Sequence, residues 1–573
     1  IKEAAKEALK SAGLNPDDYA TANAGKKEED VTKDADIVVV GAGGAGMTAA
    51  IVAAEAGKKV VVVESQSAAG GNSVRATGGM NAAKTTYQDE NTFEESAGVE
   101  KTLAAAEAYK DNKDIAALTE TVKKQWDEYQ KDPKGYFDST ELMELDTMIG
   151  GKAVNNFDLV KTLVENSADS IEWLSTIGAD LKNVGQFGGA SVKRIHRPVN
   201  DQGQVVSVGS YLIPILEKQV EKEGVEVLYN TTANKILMKD GKAVGIEAEG
   251  KTGNKVTVNA KAVVLATGGF GANNDMVAEQ NPDLKGYITT NANGAQGQGI
   301  TMATADDVNA ATVDMKQIQL HPTVHVEGDN AVLITEGLRG DGAILVNKEG
   351  KRFTNEYSAA SSDRRITDDI LAQTDAECYG VYSDEIYQEF MAIEEKDFFD
   401  EYRMTGIDNS GTVIKADTLD ELAEKMGVPA EALKETVANL KTDGFENEAV
   451  VEKAGTYAEG PYYAVLLTPG VMDTLGGVVA DTTARVLRED GSIIAGLYAA
   501  GEVIGNTQGA YYSVGLGEAA VFGRVAARNA IQYINDRGGL TEHVEVKREE
   551  AKTEAAKGEF KDGTFTGEGK GNN

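Results

Sequence analysis

DIVVVGAGGAGMTAAIVAAEAGKKVVVVE, residues 36–64, decides the fold. DIVVV (36–40) reads as a buried strand, GAGGAG (41–46) as a glycine turn, and MTAAIVAAEAG (47–57) as a helix of small residues. KKVVVVE (58–64) is the next strand and ends in an acid. The spacing G-x-G-x-x-G falls on Gly41, Gly43 and Gly46, with Gly44 and Ala45 between them. In a strand–turn–helix unit the first glycine permits the tight turn. The second lets the backbone approach a pyrophosphate, and the third lets helix and strand pack closely. The start of the helix offers free N–H groups to phosphate, and Glu64 stands where a carboxylate accepts from a ribose hydroxyl. The unit predicts a dinucleotide-binding domain.

Further glycine segments select among dinucleotides. SQSAAGGNSVRATGGMNAA (65–83) supplies Gly71, Asn72, Ser73, Thr77, Gly78 and Gly79, and VVLATGGFG (263–271) supplies Thr267, Gly268 and Gly269. A nicotinamide domain needs neither segment, whereas a flavin lying extended through the protein uses several close backbone approaches. Glu502, in GLYAAGEVIG (496–505), suits a ribityl hydroxyl. The expected cofactor is FAD rather than NAD.

With 573 residues the chain exceeds one simple core. Its formal net charge of −35 opposes phosphate backbones and anionic lipid, so nucleic acid is not an expected partner. Cys378 is the one cysteine, which excludes internal disulfides, CxxCH haem sites and four-cysteine clusters. His196, His321, His325 and His543 show no metal-ligand spacing, and no apolar run is long enough to span a membrane. The expected fold class is α/β: a Rossmann-like FAD-binding domain interrupted by an α+β clamp domain. The expected boundaries are 1–33 for an N-terminal helix and linker, 34–318 and 473–536 for the two parts of the FAD domain, and 319–472 for the clamp. Residues 537–573 read as a charged, Gly-rich linker.

The ordered motifs GAGGAG, GGNSVRATGGMNAA, GGASVKRIHRP, ATGGFG, LHPT, ITEGLRGDGAILVNKEGKRFTNE, DTLGGVVAD and GLYAAGEV resemble the soluble fumarate reductase and urocanate reductase flavoproteins over roughly residues 34–536. The tail KDGTFTGEGKGNN resembles the opening of an FMN-binding domain, so the natural protein is expected to be longer, with FMN on a neighbouring domain absent from this chain. The resemblance implies hydride transfer from flavin to one alkene carbon and a proton from an arginine to the other. It places the proton relay at Glu336 and Arg339, and the spacing of three suits one helical turn. The donor arginine falls to Arg364, with Arg365 beside it. An ungapped register counted back from the following helix sets Asp363 there instead. His321 matches the residue that holds and polarises one end of the substrate, and Thr335 adds a hydroxyl. His196 is expected to be structural or flavin-side.

One departure concerns substrate. The family usually reads H-T-M-G-G where this chain has DTLGG, so Asp473 replaces a carboxylate-gripping histidine. After GEV the run IGNTQGAYYSVGLGEA lacks the expected arginine and offers Tyr511 and Tyr512 near its place. A carboxylate set against ionised Asp473 meets repulsion on the order of 4 kcal/mol at about 4 Å. The expectation is therefore a reductase of an activated C=C bond, of enoate or aryl-acrylate type, and not of fumarate itself. The group facing Asp473 is expected to be a hydrogen-bond donor, or a carbonyl where tyrosine donates. Alternatives are a desaturating dehydrogenase of a ketone and a non-catalytic flavin electron carrier. Expected partners are a small unsaturated acceptor and an electron-donating flavin domain or redox protein. FAD is expected to bind non-covalently, and the protein to be exported or held at a bacterial cell surface.

Overall fold

Ile37–Val40, Val60–Val63 and Ala262–Leu265 are buried at every position, as strands covered on both faces must be. The structure, a computed structural model, describes residues 27–186, 190–327, 330–334, 336–356, 366–393, 413–445, 447–510, 515–536, 559–561 and 564–566. The three strands form the centre of a sheet whose order is Val31–Asp34, Lys255–Asn259, Lys242–Glu249, Ile493–Ala499, Ala262–Leu265, Ile37–Val40, Val60–Val63, Glu226–Leu228. Its middle is parallel, with Val40 level with Val63 and Leu265, and Leu265 level with Ala499. The turns that follow these four residues therefore share one edge of the sheet. Ligands of open parallel sheets bind outside the carboxyl ends of the strands.

Two details differ from the sequence reading. Val31–Asp34, assigned to a linker ending at 33, is an edge strand paired in parallel with Lys255–Asn259. The first helix spans Gly44–Glu55, so it starts inside the glycine motif rather than after it. Starting there puts the first-turn amides at the sheet edge. Against it packs the long helix Gly515–Asn535, where Gly523 has no room for a Cβ, which would stand 2.6 Å from Ala45 O.

A second sheet runs in the order Asn330–Leu333, Ile318–Glu327, Tyr462–Thr474, Cys378–Ser383, Ile344–Val346, and Val413–Ala416 also pairs with Tyr462–Thr474. Its core gathers Ile344, Val381, Leu422, Leu433 and Val465. The helix Leu419–Met426 closes one side. Its N-cap Thr418 accepts from Glu421 N, and Gly427 ends it in the left-handed region. The strand Tyr462–Thr474 joins the two units: Leu467 lies in the second core and Val471 in the first. On its partner, Ile318 and Leu320 pack against the first core. The pairing slips between His321 and Val324, where Pro322 has no N–H to donate. In the stretch read as a linker, Glu559–Lys561 and Thr564–Thr566 pair as a hairpin.

Candidate active site

The cofactor motifs meet at the shared edge. Gly41 (φ +106°) turns the chain so tightly that a Cβ would lie 2.3 Å from Ala266 O, and one on Gly46 would lie 1.9 Å from Gly41 O. Only glycine fits either place. Gly43 is different: the nearest atom to its added Cβ is Gly70 O at 3.8 Å, so the turn opens to space. Gly43 is also the N-cap and has no side chain to satisfy the first-turn amides. Gly44 N–H donates to Ser73 Oγ at 3.1 Å, which ties the second glycine segment to this turn. Glu64, 8% exposed, accepts from Ala42 N at 2.7 Å and Gln66 N at 2.8 Å. Oε1 also accepts from Ser65 Oγ at 3.3 Å, so it is Oε2 that keeps a further lone pair for a ribose hydroxyl.

The other segments interlock around the same edge. Asn72 Nδ2 donates to Asn291 Oδ1 at 2.6 Å, and Asn291 Nδ2 donates to Met472 O at 3.0 Å. Gly71 has φ +51°, Gly78 leaves 3.6 Å to Ile195 Cδ1, and Gly79 passes so near His196 O that a Cβ would stand 2.5 Å away. Thr77 lies half-buried between them. Thr267 fills the space that a Gly299 side chain would need. Gly268 (φ +68°) and Gly269 let Glu502 and Thr474 come close, since a Cβ on Gly269 would be 1.9 Å from Thr474 Oγ1 and 2.3 Å from Glu502 Oε1. Phe270 N donates to Thr474 Oγ1 at 3.2 Å, which in turn donates to Glu502 Oε1 at 3.0 Å. The open glycine turn, the uncapped helix start and two carboxylates at strand ends fit a flavin dinucleotide.

A second group lies where the two cores join. His321, on Ile318–Glu327, is almost wholly buried. Its Nε2 lies 3.2 Å from Glu336 Oε1, near enough for an ion pair though off the line of a well-formed hydrogen bond. Its Nδ1 lies 3.2 Å from both the N and the O of Thr323, so that residue can meet Nδ1 as donor or as acceptor. Glu336 opens the short helix Glu336–Gly340, and Arg339 stands in its last turn. Burial of the helix start opposes ionisation, but the charges of His321 and Arg339 outweigh it and hold the Glu336 carboxyl well below the usual carboxylate range. The Glu336 side chain is itself 65% exposed, so solvent screens that pull; its direction, an ionised Glu336, is what the chemistry uses. Arg339 is buried and its Nη1 donates to Glu356 O at 3.0 Å.

The sequence reading does not single out Glu356, the last residue of KRFTNE. It receives Arg352 on both oxygens, at 2.9 and 2.6 Å, and also Leu345 N and Asn447 Nδ2. The spacing of four between Arg352 and Glu356 was the available signal. Thr335, Arg364, Arg365, Tyr511 and Tyr512, with Asp363, lie outside the described residues.

Asp473 lies level with Gln319 of the neighbouring strand, beside Thr474 and Glu502. It is 6% exposed, and its carboxyl is lifted well above the ordinary range by burial first and then by Glu502 and Glu518. Where the sequence reading takes Asp473 as ionised, burial beside two other carboxyls works against its charged form. Glu518, in GLGEAA, was also passed over. It accepts from Gln508 Nε2 at 2.7 Å, and burial pushes it up to about 7. His196 is fully buried, gives Nδ1–H to Arg194 O at 2.8 Å and meets Thr85 Oγ1 at 2.6 Å; burial pushes it down to about 4, so it stays neutral. Arg194 beside it pairs with Asp138 and with Asp146 of the helix Thr140–Gly150.

A family model described as FAD binding domain matches residues 36–137 and 128–517. A protein named fumarate reductase (cytochrome) from Shewanella frigidimarina is 39% identical over 418 residues, 71% of this chain and 69% of the relative. A urocanate reductase from Eggerthella lenta is 33% identical over 413 residues, 69% of this chain and 65% of the relative. The open conformation of a flavocytochrome c3 fumarate reductase superposes with a TM-score of 0.66 at 31% identity, covering 91% of this chain and 81% of that one.

Proposed function

The chain belongs to the FAD-binding domain family, among the fumarate and urocanate reductase flavoproteins, and we propose that it reduces an activated carbon–carbon double bond in a small acceptor other than fumarate. It is an FAD-dependent oxidoreductase. The observation that carries the reading is the placement of His321, Glu336 and Arg339 together where the FAD unit meets the second sheet.

The amides at the start of Gly44–Glu55 would hold the pyrophosphate, Glu64 the adenosine ribose, and Glu502 with the Thr267–Gly269 turn the ribityl chain. Bound non-covalently and reduced by an external donor, FAD would supply a hydride to one alkene carbon. The chain's own residues supply the rest. His321 Nε2–H polarises the substrate carbonyl, drawing electron density from the alkene carbon that takes hydride. By the family resemblance, Glu336 and Arg339 would relay a proton to Arg364, or Arg365, which would deliver it to the second carbon. An arginine holds its proton tightly, so the relay needs a carboxylate that takes part in the exchange, the role proposed for Glu336. Arg352 and Glu356 fix the backbone from which the segment with Arg364 departs.

Electrons reach the FAD from a flavin domain or redox protein outside this chain, and the protein works as an exported or surface-held bacterial reductase. Among the described residues no helix is long and apolar enough to cross a membrane. The test is anaerobic oxidation of reduced methyl viologen by the FAD-loaded chain with fumarate, urocanate, cinnamate, hydroxycinnamates and uncharged enones. Turnover of one of the latter to its saturated product, with fumarate silent, supports the reading. Bound FAD that no acceptor reoxidises would replace it with an electron carrier.

A further inference from the structure

Three capped helices enclose a small acidic cavity that the cofactor and acceptor groups do not share. Asn112, Ser139 and Asn156 accept from first-turn amides and so start Lys113–Lys131, Thr140–Gly150 and Phe157–Glu165. The middle helix packs against both of the others. Among them lies a cavity of about 200 Å3. A drug-sized ligand needs roughly 300–1,000 Å3, so the space suits a small ion or a single side chain.

Glu144 sets the character of this cavity. It sits in a run of buried residues, Leu142 to Leu145, is 3% exposed and lines the cavity wall. Among the described residues no hydrogen bond or ion pair reaches its carboxyl. Glu141, Glu165 and Lys161 act on it through charge alone. A buried carboxyl without a partner is costly, and a cation in the cavity would remove that cost. The other groups of the lining are already engaged. Glu141 Oε2 accepts from Gln125 Nε2 and Thr140 Oγ1, each at 3.1 Å. Lys161, the cation of the lining, has its Nζ 3.7 Å from Glu165 Oε1.

The kind of cation follows from where the acids stand. Asp114, Glu144 and Glu165 each come from a different helix, and among the described residues no group of acids is placed to hold a metal ion. A planar guanidinium matches a single carboxylate with its fork. An ammonium is compact and has three donors that can reach acids on different sides. Beside the acids, Ala117, Leu118 and Phe157 offer apolar surface for methylenes. The formal net charge of −35 draws cations toward the chain from a distance.

We propose that this cavity binds a primary aliphatic ammonium ion, with Glu144 as its buried counter-charge and its methylenes against Leu118 and Phe157. A free alkylamine and the lysine side chain of a partner protein carry the same chemistry.

Isothermal titration calorimetry of the FAD-loaded chain with n-butylamine and with N-acetyl-lysine amide tests this. At pH 8 Glu144 is ionised, because burial, then Glu141 and Glu165, push it up only to about 7. Salt at about 0.15 M screens the diffuse attraction of the surface. The expected result is one-site binding that Glu144→Gln weakens by about tenfold or more. Glu128→Gln removes the same charge from an exposed position of Lys113–Lys131 and leaves binding unchanged. Binding of n-butylamine alone marks a site for free amines, and binding of both probes admits a lysine side chain. No binding of either probe, equal binding of tetramethylammonium, or equal weakening by the two variants overturns the proposal. So does binding that appears only in Lys161→Met, since Lys161 is then the resident cation.

Discussion

Glu336 Oε1 lies 3.2 Å from His321 Nε2, and the two residues come from different elements on either side of the join between the two cores. A histidine that polarises a carbonyl and a carboxylate that accepts protons are each ordinary. Set at this distance, His321, with Arg339, pulls the Glu336 carboxyl downward and favours its ionised form.

Removing that charge separates chemistry from binding. Glu336→Gln lowers kcat by about a hundredfold or more, the usual size of a lost proton-transfer partner, and changes KM little. Steady-state rates with any accepted alkene check it. An equal loss in kcat and a matching rise in KM would assign Glu336 to substrate binding.

Arg352 and Glu356 form a buried two-point ion pair, so breaking it from one side strands a charge. Arg352→Met costs about 3 kcal/mol or more of stability. Denaturant unfolding of the loaded chain measures the loss. The double replacement Arg352→Met, Glu356→Gln recovers part of it, because the stranded carboxylate is then gone.

The sequence made the FAD unit legible because its signals are local. Gly41, Gly43, Gly46 and Glu64 act within one strand–turn–helix–strand unit, so their spacing alone carries the geometry. The motifs around Gly269 and Glu502 were legible as motifs, but their meeting was not. They lie far apart along the chain and converge only because Leu265 and Ala499 are neighbours in one sheet. Asp473 is legible as a departure from the family pattern, but its surroundings are not. A sequence shows an acid, not the two acids folded against it. Glu518 reads as a helical surface residue until the helix is packed, and it is then fully inside.

Gly46→Ala removes the cofactor. Its Cβ would sit 1.9 Å from Gly41 O, a backbone atom that cannot move without opening the turn. Flavin absorbance per mole of purified protein falls to a small fraction, and unfolding shifts down by about 2 kcal/mol. Gly43→Ala, with nothing nearer than 3.8 Å, folds normally and loses flavin affinity alone.

The buried carboxyls also shape stability against pH. Glu518 and Glu144 are both pushed up to about 7 from 4.5, Glu518 by burial first and Glu144 by burial and then by Glu141. A raised folded-state value means that the stabilising contribution is complete below about pH 4.5 and is lost as pH rises through about 7. Thermal unfolding therefore moves to lower temperature across that window. In Glu518→Gln the slope is shallower than in the parent, and an identical slope would place the titration elsewhere.

The central claim is that this chain passes reducing equivalents from bound FAD to a carbon–carbon double bond. Its most direct test is a single anaerobic turnover: the FAD-loaded chain is photoreduced and mixed with one equivalent of an α,β-unsaturated carbonyl compound. Flavin absorbance is followed while the product is identified. The account predicts rapid return of oxidised flavin with one equivalent of saturated product. Flavin that stays reduced with every such acceptor, or oxidised chain that instead desaturates the saturated ketone, would contradict it.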